Sequence, residues 1–171
     1  MENYNIGIEI ENKYIIEMPE TELLLKQTDY SSSEILQIYI AGMEGETRRI
    51  RRRIYKDKCQ YTETRKIRID QSSSPEMERE ISESEFIELS ALAIADRIPI
   101  KKTRHTFIYK NQLFEIDVYP EWQRSAILET ELDSAERVVE FPTFIKVVRN
   151  VTGDKKYSNA SMSRSFPKEI I

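Results

Sequence analysis

Pairs of acidic residues separated by one residue recur along the sequence. They are Glu9 with Glu11, Glu78 with Glu80, Glu115 with Asp117, and Glu129 with Glu131. Side chains two residues apart in a β-strand point to the same face of the sheet, so each pair places two carboxylates side by side. Clustered carboxylates suit hard divalent cations, and the pattern therefore indicates Mg²⁺ or Mn²⁺ binding.

Basic residues follow the same two-residue spacing. They are Arg49, Arg51 and Arg53 in one segment, Lys66 and Arg68 in a second, and Lys102 and Arg104 in a third. Clustered arginines and lysines are typical of phosphate binding. Carboxylates for a metal and cations for phosphate together describe a site for a metal-bound phosphate substrate.

Two simpler interpretations of these charges have to be weighed. An antiparallel sheet commonly keeps one face in water, and such a face alternates without any function. Repeated like charges on neighbouring strands argue against this, because they repel unless something compensates them. The run from Arg48 to Arg53 resembles a nucleic-acid patch, but Ile50 interrupts it. The strand pattern places Arg49 and Arg51 on one face, with Arg48 and Arg52 on the other.

Several kinds of site are excluded by composition. Cys59 and His105 are the single cysteine and histidine, so an intrachain disulfide, a multi-cysteine zinc site and a histidine-pair site are all excluded. The 4 glycines match neither the P-loop nor the dinucleotide fingerprint. Any metal must be bound through oxygen, and His105 is not expected in the site.

The elements that would position these residues are mainly strands. Alternation predicts eight of them, at 6–16, 35–40, 48–55, 61–69, 76–81, 103–109, 113–119 and 126–132. Ser82 and Glu85 form a capping box that predicts a helix ending near Asp96. Weaker signals predict helices after Pro19 and after Pro142, and a break is expected at 29–33. The fold class is α+β, with a mainly antiparallel sheet that is able to close into a barrel.

Length and charge narrow the class of protein. A chain of 171 residues with 39% hydrophobic residues predicts one domain over residues 1–171. The formal net charge of −4 is mild and does not indicate a nucleic-acid partner. Apolar runs are too short for a membrane span, and the N-terminus lacks the features of a signal peptide. A cytoplasmic protein without a membrane partner is the expectation.

The ordered set of motifs resembles CYTH domains, also called triphosphate tunnel metalloenzymes. The hallmark is an E-x-E-x-K strand, here Glu9, Glu11 and Lys13. Further family-like elements follow in order: Gln37 and Tyr39, Arg49 and Arg51, Thr64 and Lys66, Glu78 and Glu80, Lys102 to Arg104, Glu115 and Asp117, Glu129 and Glu131, and residues 153–159. The resemblance spans nearly the whole chain.

The resemblance implies an eight-stranded antiparallel closed barrel that forms a tunnel, with charged faces inward and a few helices outside. It implies phosphate ligands at Lys13, Arg49, Arg51, Lys66, Lys102, Arg104 and Lys156. It implies metal ligands, for Mg²⁺ or Mn²⁺, at Glu9, Glu11, Glu78, Glu80, Asp117, Glu129 and Glu131. Glu9, Glu11 and Lys13 would be the catalytic residues.

Some positions depart from the family pattern. Asn12 stands where many relatives have a basic residue, and Ser74-Pro75 occupies a position where an arginine is expected. Arg53 is an additional basic residue that could replace or supplement the arginine pair in the site. At the tail, either Lys155 or Lys156 could be the phosphate ligand, and the sequence leaves both open.

Several functions are compatible with the resemblance. Hydrolysis of inorganic tripolyphosphate is the leading candidate function, because it needs no base-binding pocket. Cyclisation of ATP to cyclic AMP and hydrolysis of thiamine triphosphate need one, with Tyr14, Tyr39 or Trp122 as candidates. A non-catalytic polyphosphate- or nucleotide-binding module is a further alternative, which the retained carboxylates disfavour. The resemblance implies a possible homodimer, since homodimers are common in the family, but nothing in the sequence locates an interface.

Overall fold

The computed structural model describes residues 5–7, 11–67, 75–131 and 138–171. Within these residues there are ten strands: β1 Asn5–Gly7, β2 Glu11–Glu17, β3 Thr28–Ile40, β4 Glu46–Tyr55, β5 Lys58–Ile67, β6 Glu76–Ile81, β7 Ile100–Tyr109, β8 Gln112–Val118, β9 Ser125–Glu131 and β10 Val147–Asn150. Three short helices are α1 Thr21–Leu25, α2 Glu83–Ser90 and α3 Asn159–Met162, with a 3₁₀ turn at Lys155–Tyr157.

All eight segments predicted as strands contain strands, and the α+β class with a mainly antiparallel sheet is confirmed. The count rises to ten for two reasons. The segment 6–16 yields β1 and β2 on either side of residues that are not described, and β10 was not predicted. In the described residues the ladder is open at β1 and at β10, so the expectation of a closed eight-stranded barrel is not confirmed.

The chain divides into two compact units, each with its own packing. Unit 1 comprises Met1–Ile8 and Ile35–Ile100, and its strand order is β1-β6-β5-β4 followed by the second half of β3. Its core contains Ile40, Ile50, Ile81 and Phe86. Ile50 directly follows Arg49 and Ile81 directly follows Glu80 in the sequence, so alternation places the two isoleucines on the face opposite these charges, where they pack with Phe86 of α2.

Helix α2 begins as predicted but ends earlier. The hydroxyl of Ser82 accepts a hydrogen bond of 3.1 Å from the backbone N–H of Glu85, which is the expected cap. The helix ends at Ser90 rather than near Asp96, because the next residues turn to pair with β3. Ala41 N–H donates to the Leu92 carbonyl, and Ile94 N–H donates to the Tyr39 carbonyl.

Unit 2 comprises Glu9–Glu34 and Lys101–Ile171, with the strand order β3 (first half)-β7-β8-β9-β2-β10. Its core is formed by Tyr14, Ile16, Leu24, Phe107, Phe114, Ile116, Ala126, Leu128 and Ile145. The β7–β8 hairpin turns at Lys110 and Asn111, both with positive φ, as a two-residue turn of the hairpin type requires. The turn sets the register that brings Arg104 opposite Asp117.

Two predictions in unit 2 are wrong. The serine-rich stretch 29–33, expected as a break, lies inside β3. Tertiary contacts hold it there, since Tyr30 Oη lies 2.9 Å from His105 Nδ1 and Ser31 Oγ lies 2.6 Å from Thr106 Oγ1. The helix expected after Pro142 is replaced by β10, whose backbone pairs with the edge of β2 opposite β9. The helix after Pro19 is confirmed as α1.

The expectation of a single domain stays a prediction. No helix among the described residues is long and apolar enough to cross a membrane.

A buried ionic network lies on the helix-covered side of unit 1. The Glu63 carboxylate is fully buried, and its oxygens accept hydrogen bonds from Arg48 Nε at 2.5 Å, Arg65 Nε at 3.2 Å and Arg79 Nε at 2.8 Å. Burial alone would raise the pKa of Glu63, but the arginines outweigh it and hold that pKa below its ordinary value. Arg79 also pairs with Glu85 of α2, so the network joins the helix to the sheet.

Replacement of this buried carboxylate tests the network. We expect Glu63→Gln to lower the free energy of unfolding at pH 7 by about 3 kcal/mol, because three partly buried arginines lose their counter-charge. Urea unfolding measures this, with Glu88→Gln on the exposed side of α2 as the matched control. The pKa of Glu63 is lowered by folding, so its stabilisation is present above pH 4.5 and fades as the pH falls further. Equal stability of the two variants at pH 7 would contradict the assignment.

Candidate functional site

One face of unit 2 collects the charged residues of four strands. The registers pair Arg104 with Asp117, Glu115 with Glu129, and Lys13 with Glu129. Paired residues of antiparallel strands share a face, so these side chains, together with those of Lys102 and Glu11, line one surface. The opposite face carries Tyr14, Ile116 and Leu128 and belongs to the core. The predicted separation into an ionic and an apolar face is confirmed for these strands.

Arg104 is the centre of this cluster. Its Nε donates to Asp117 Oδ1 at 2.7 Å and its Nη2 donates to Asp117 Oδ2 at 2.7 Å, which is a bidentate pair. Nη1 donates to Glu115 Oε2 at 2.6 Å, and Nη2 also reaches Glu129 Oε2 at 2.9 Å. A single guanidinium thus separates three carboxylates that would otherwise repel.

Lys102 and Asp117 form the deepest part of the cluster. The Lys102 ammonium donates to Asp117 Oδ2 at 2.5 Å, and neither side chain has any solvent exposure. Burial alone would raise the pKa of Asp117, yet the two cations hold it well below its usual range. Asp117 is therefore ionised in the folded protein.

Lys13 and Glu11 occupy the more open part. Lys13 Nζ lies 2.9 Å from Glu129 Oε1 and 3.5 Å from Glu11 Oε1, and it donates to the Tyr157 carbonyl at 3.4 Å. Burial and the neighbouring charge of Glu129 raise the pKa of Glu11 to about 7. Burial also raises the pKa of Glu115. Carboxylates whose charge is incompletely compensated are typical of sites that bind a further cation.

A second charged face lies in unit 1. The registers bring Arg49, Thr64 and Glu78 into one row, and Arg51, Thr62 and Glu80 into the next. The Gln37 amide oxygen accepts from Arg51 Nε at 3.2 Å and from Arg51 Nη2 at 2.9 Å. Because Arg48 pairs with Arg65 on the other face, the predicted separation of Arg49 and Arg51 from Arg48 and Arg52 is confirmed.

Arg49 is an incompletely satisfied cation of this second face. Its Nη2 lies 3.7 Å from Glu76 Oε1, which is a distant ion pair. Its Nε is buried and has no hydrogen-bond partner in the described part of the chain. A buried donor without an acceptor costs free energy, so the Nε–H of Arg49 is suited to donate a hydrogen bond to an anionic ligand.

Most of the remaining predicted site residues are exposed to solvent. Lys66, Glu80, Glu131 and Lys156 are exposed, and so is Lys155. Lys66 Nζ is 3.9 Å from Glu76 Oε1, while Glu78 Oε2 accepts a 3.0 Å hydrogen bond from Thr64. Lys156 Nζ lies over the ring of Tyr157. Glu9 and Arg68 lie outside the described residues.

Two contributors were missing from the predicted set of site residues. Glu115 binds Arg104 directly, and its spacing from Asp117 was the available signal. The Tyr157 carbonyl binds Lys13, which no side-chain pattern indicates because the group belongs to the backbone.

The donor set was compared with the requirements of a divalent cation. In residues 5–7, 11–67, 75–131 and 138–171, no three acidic, histidine or cysteine side chains converge at ligand spacing. Glu11 and Glu129 nevertheless lie beside the same ammonium, with their oxygens 3.5 Å and 2.9 Å from Lys13 Nζ. Since Mg²⁺ commonly binds to one or two carboxylates, with water and substrate phosphates completing its shell, this pair fits such an ion.

Comparison with known proteins shows similarity of fold. No protein-family model matches the sequence, and no curated protein matches it. The structure superimposes on the inorganic triphosphatase NE1496 with a TM-score of 0.60 and 22% identity, covering 95% of this chain and 98% of that one. A second NE1496 structure, described as a hypothetical protein, superimposes with a TM-score of 0.60 and 23% identity, covering 94% of this chain and 100% of that one. The PH1012 protein of Pyrococcus horikoshii OT3 superimposes with a TM-score of 0.50 and 17% identity, covering 74% of this chain and 82% of that one.

The chain therefore has the fold of CYTH domains and triphosphate tunnel metalloenzymes, as the sequence motifs predict. At these identities the similarity concerns the fold.

The raised pKa of Glu11 has a measurable consequence. Folding raises this pKa from 4.5 to about 7, so the folded protein loses stability as the pH rises through that interval. We expect Glu11→Gln, in the presence of chelator, to stabilise the protein at pH 8.5 by ~1 kcal/mol relative to wild type, a figure reduced for partial solvent exposure. At pH 4.5 the two proteins should unfold at similar urea concentrations. If the Glu11→Gln variant is less stable than wild type at pH 8.5, ionised Glu11 does not destabilise the folded protein and the prediction is wrong.

Proposed function

We propose that this protein is a divalent-metal-dependent triphosphatase, with inorganic tripolyphosphate as its leading substrate. The observation that carries the proposal is the charged face of unit 2, where Arg104 and Lys13 lie among carboxylates whose charge they do not fully compensate. The inorganic triphosphatase NE1496 has the same fold, which supports the same class of reaction. A closed eight-stranded tunnel around the substrate is part of the proposal.

The cations supply the phosphate contacts. Arg49 presents a guanidinium group suited to bidentate contact with phosphate oxygens. Arg104 supplies a second guanidinium, whose Nη1 lies toward the more exposed Glu115, and Lys13 supplies a point charge. Arg51, Lys66 and Lys156 complete the proposed phosphate-binding set, and Arg53 and Lys155 stay open. As the bond to the leaving pyrophosphate breaks, these groups stabilise the negative charge that grows on it.

The carboxylates supply the metal ligands. Glu11 and Glu129 are the central pair, and Glu9, Glu131, Glu78 and Glu80 are the other proposed ligands. A bound Mg²⁺ or Mn²⁺ would neutralise phosphate oxygens and make the phosphorus more electrophilic. Binding of a cation also explains why Glu11 is kept beside Glu129 at a cost in stability.

The water that attacks the terminal phosphorus needs a proton acceptor. Glu11 is suited to this role, because its carboxyl group lies in the more open part of the cluster, where its side chain is 30% exposed and 3.5 Å from Lys13 Nζ. In the proposed step the water oxygen forms the new bond to phosphorus, its proton passes to a Glu11 carboxylate oxygen, and pyrophosphate leaves. Glu9 is the alternative acceptor, and Lys13 orients the phosphate.

Aromatic packing favours tripolyphosphate over nucleotide or thiamine substrates. Tyr14, Tyr39 and Trp122, the aromatic residues considered for a base-binding pocket, are all buried. Tyr14 packs edge-on against Phe141, Arg97 covers the ring of Tyr39, and Trp122 packs against Phe166 and donates to the Pro167 carbonyl. None of these rings is available to stack on a base. A cytoplasmic location and the absence of a nucleic-acid partner stay predictions.

The proposed reaction is tested by comparing substrates and metals. We expect Mg²⁺- or Mn²⁺-dependent phosphate release from tripolyphosphate, at a rate well above that from ATP or thiamine triphosphate, with no cyclic AMP and no activity in chelator. In the double variant Glu9→Gln/Glu11→Gln, turnover should fall by about 10²–10⁴-fold or more while the fold is retained. Near-normal turnover in this variant, or cyclic AMP as the main product, would overturn the proposal.

A matched pair of arginine variants tests the phosphate contacts of unit 1. Arg49→Met should raise the KM for tripolyphosphate about tenfold, because one charge-assisted contact is lost. Arg52→Met, on the opposite face of the same strand, should leave the KM within about twofold of wild type. Equal effects of the two variants on steady-state kinetics would remove Arg49 from the site.

A further inference from the structure

We propose that Lys102 and Asp117 touch neither phosphate nor metal, and that they act as a buried pair that positions the guanidinium of Arg104. This inference rests on the proposed triphosphatase function for its kinetic consequence. It assigns to the two residues a role different from that of the phosphate ligand and metal ligand implied by the sequence motifs.

The oxygens of Asp117 are already occupied. Oδ1 accepts from Arg104 Nε, and Oδ2 accepts from both Arg104 Nη2 and Lys102 Nζ, at distances of 2.5 to 2.7 Å. The side chain has no solvent exposure. A hard cation that keeps part of its water shell needs an accessible oxygen with a free lone pair. Asp117 offers a metal no exposed surface, whereas the side chains of Glu11 and Glu129 are 30% and 9% exposed.

Lys102 is enclosed on two sides. Its ammonium contacts Asp117 on one side and lies 5.9 Å from the centroid of the Tyr119 ring on another. Tyr119 is itself buried, and its hydroxyl donates to Asn159 Oδ1 at 3.0 Å, so the ring is held in place. With no exposed side-chain surface, Lys102 presents no donor to a ligand arriving from solvent.

Asp117 holds one edge of the Arg104 guanidinium, and the Nη atoms also donate to Glu115 and Glu129. Nε and Nη2 bind the two oxygens of Asp117, which fixes the plane of the guanidinium. Nη1 points to Glu115, whose side chain is 23% exposed, more than any other partner of this guanidinium. A cation oriented in advance loses less conformational freedom when it binds an anion. The pair therefore acts on phosphate affinity through Arg104.

The charges of the pair depend on each other, and this decides the design of the variants. Removal of one charge leaves its buried partner uncompensated, and such a variant risks unfolding. The double variant Lys102→Met/Asp117→Asn removes both charges with side chains of similar size. Thermal unfolding and circular dichroism establish that it folds. Glu11→Gln, which alters a proposed metal ligand, is the comparison variant.

Kinetics with tripolyphosphate and Mg²⁺ as separately varied reactants provide the first readout. For the folded double variant we expect the KM for tripolyphosphate to rise about tenfold and the Mg²⁺ activation constant to stay within about twofold of wild type. Glu11→Gln should instead raise the Mg²⁺ activation constant. An unchanged KM, or a raised Mg²⁺ constant in the double variant, would overturn the proposal.

The second readout does not need activity. The Nε–H proton of Arg104 should exchange slowly with solvent in the NMR spectrum of the wild-type protein, and the double variant should lose this protection. If wild type hydrolyses no triphosphate, the proposed function fails while this signal still tests the positioning. Equal protection in the two proteins would overturn the positioning role.

Discussion

The buried ion pair between Asp117 and Arg104 is the interaction on which the charged face of unit 2 depends. Carboxylates on neighbouring strands face one another here, with Glu115 opposite Glu129 in the register. In a buried setting such groups repel strongly, and the arrangement is stable only if cations lie among them. Arg104 contacts three carboxylates, and Lys13 contacts two. The compensation that repeated acidic pairs demand is thus supplied largely by the protein itself.

The charged residues differ in how completely neighbouring groups of opposite charge neutralise them. Fully neutralised residues stabilise the fold, and incompletely neutralised ones are suited to bind a ligand. Glu63 in unit 1 has three arginine partners and lies beneath a helix, so its network stabilises the sheet. Asp117 is equally saturated. Glu11, in contrast, is kept near Glu129 with a raised pKa, and Arg49 keeps a buried Nε without an acceptor. Each unit therefore carries a charged group that its own partners leave incompletely satisfied, a carboxyl group in unit 2 and a guanidinium in unit 1.

Local sequence signals were reliable where the structure depends on neighbours along the chain. The alternation located all eight strand segments, and the Ser82 cap located the start of α2. The failures came where distant residues decide the conformation. The stretch 29–33 is extended because Tyr30 and Ser31 bind residues of β7. Residues 147–150 form a strand because they pair with the edge of β2 that lies opposite β9. Neither partner lies within a local window of sequence.

The sequence by itself determined which side chains share a face, because the two-residue period of a strand is a local property. From this followed the separation of Glu11 and Lys13 from Tyr14, and of Arg49 from Arg48. Only the tertiary structure decided which charges meet, since register joins strands far apart in the chain. It made Lys102 and Asp117 fully buried and left Lys66, Glu131 and Lys156 exposed. Burial depends on every neighbour packed around a residue, and so residues with the same spacing in sequence acquire different electrostatic environments.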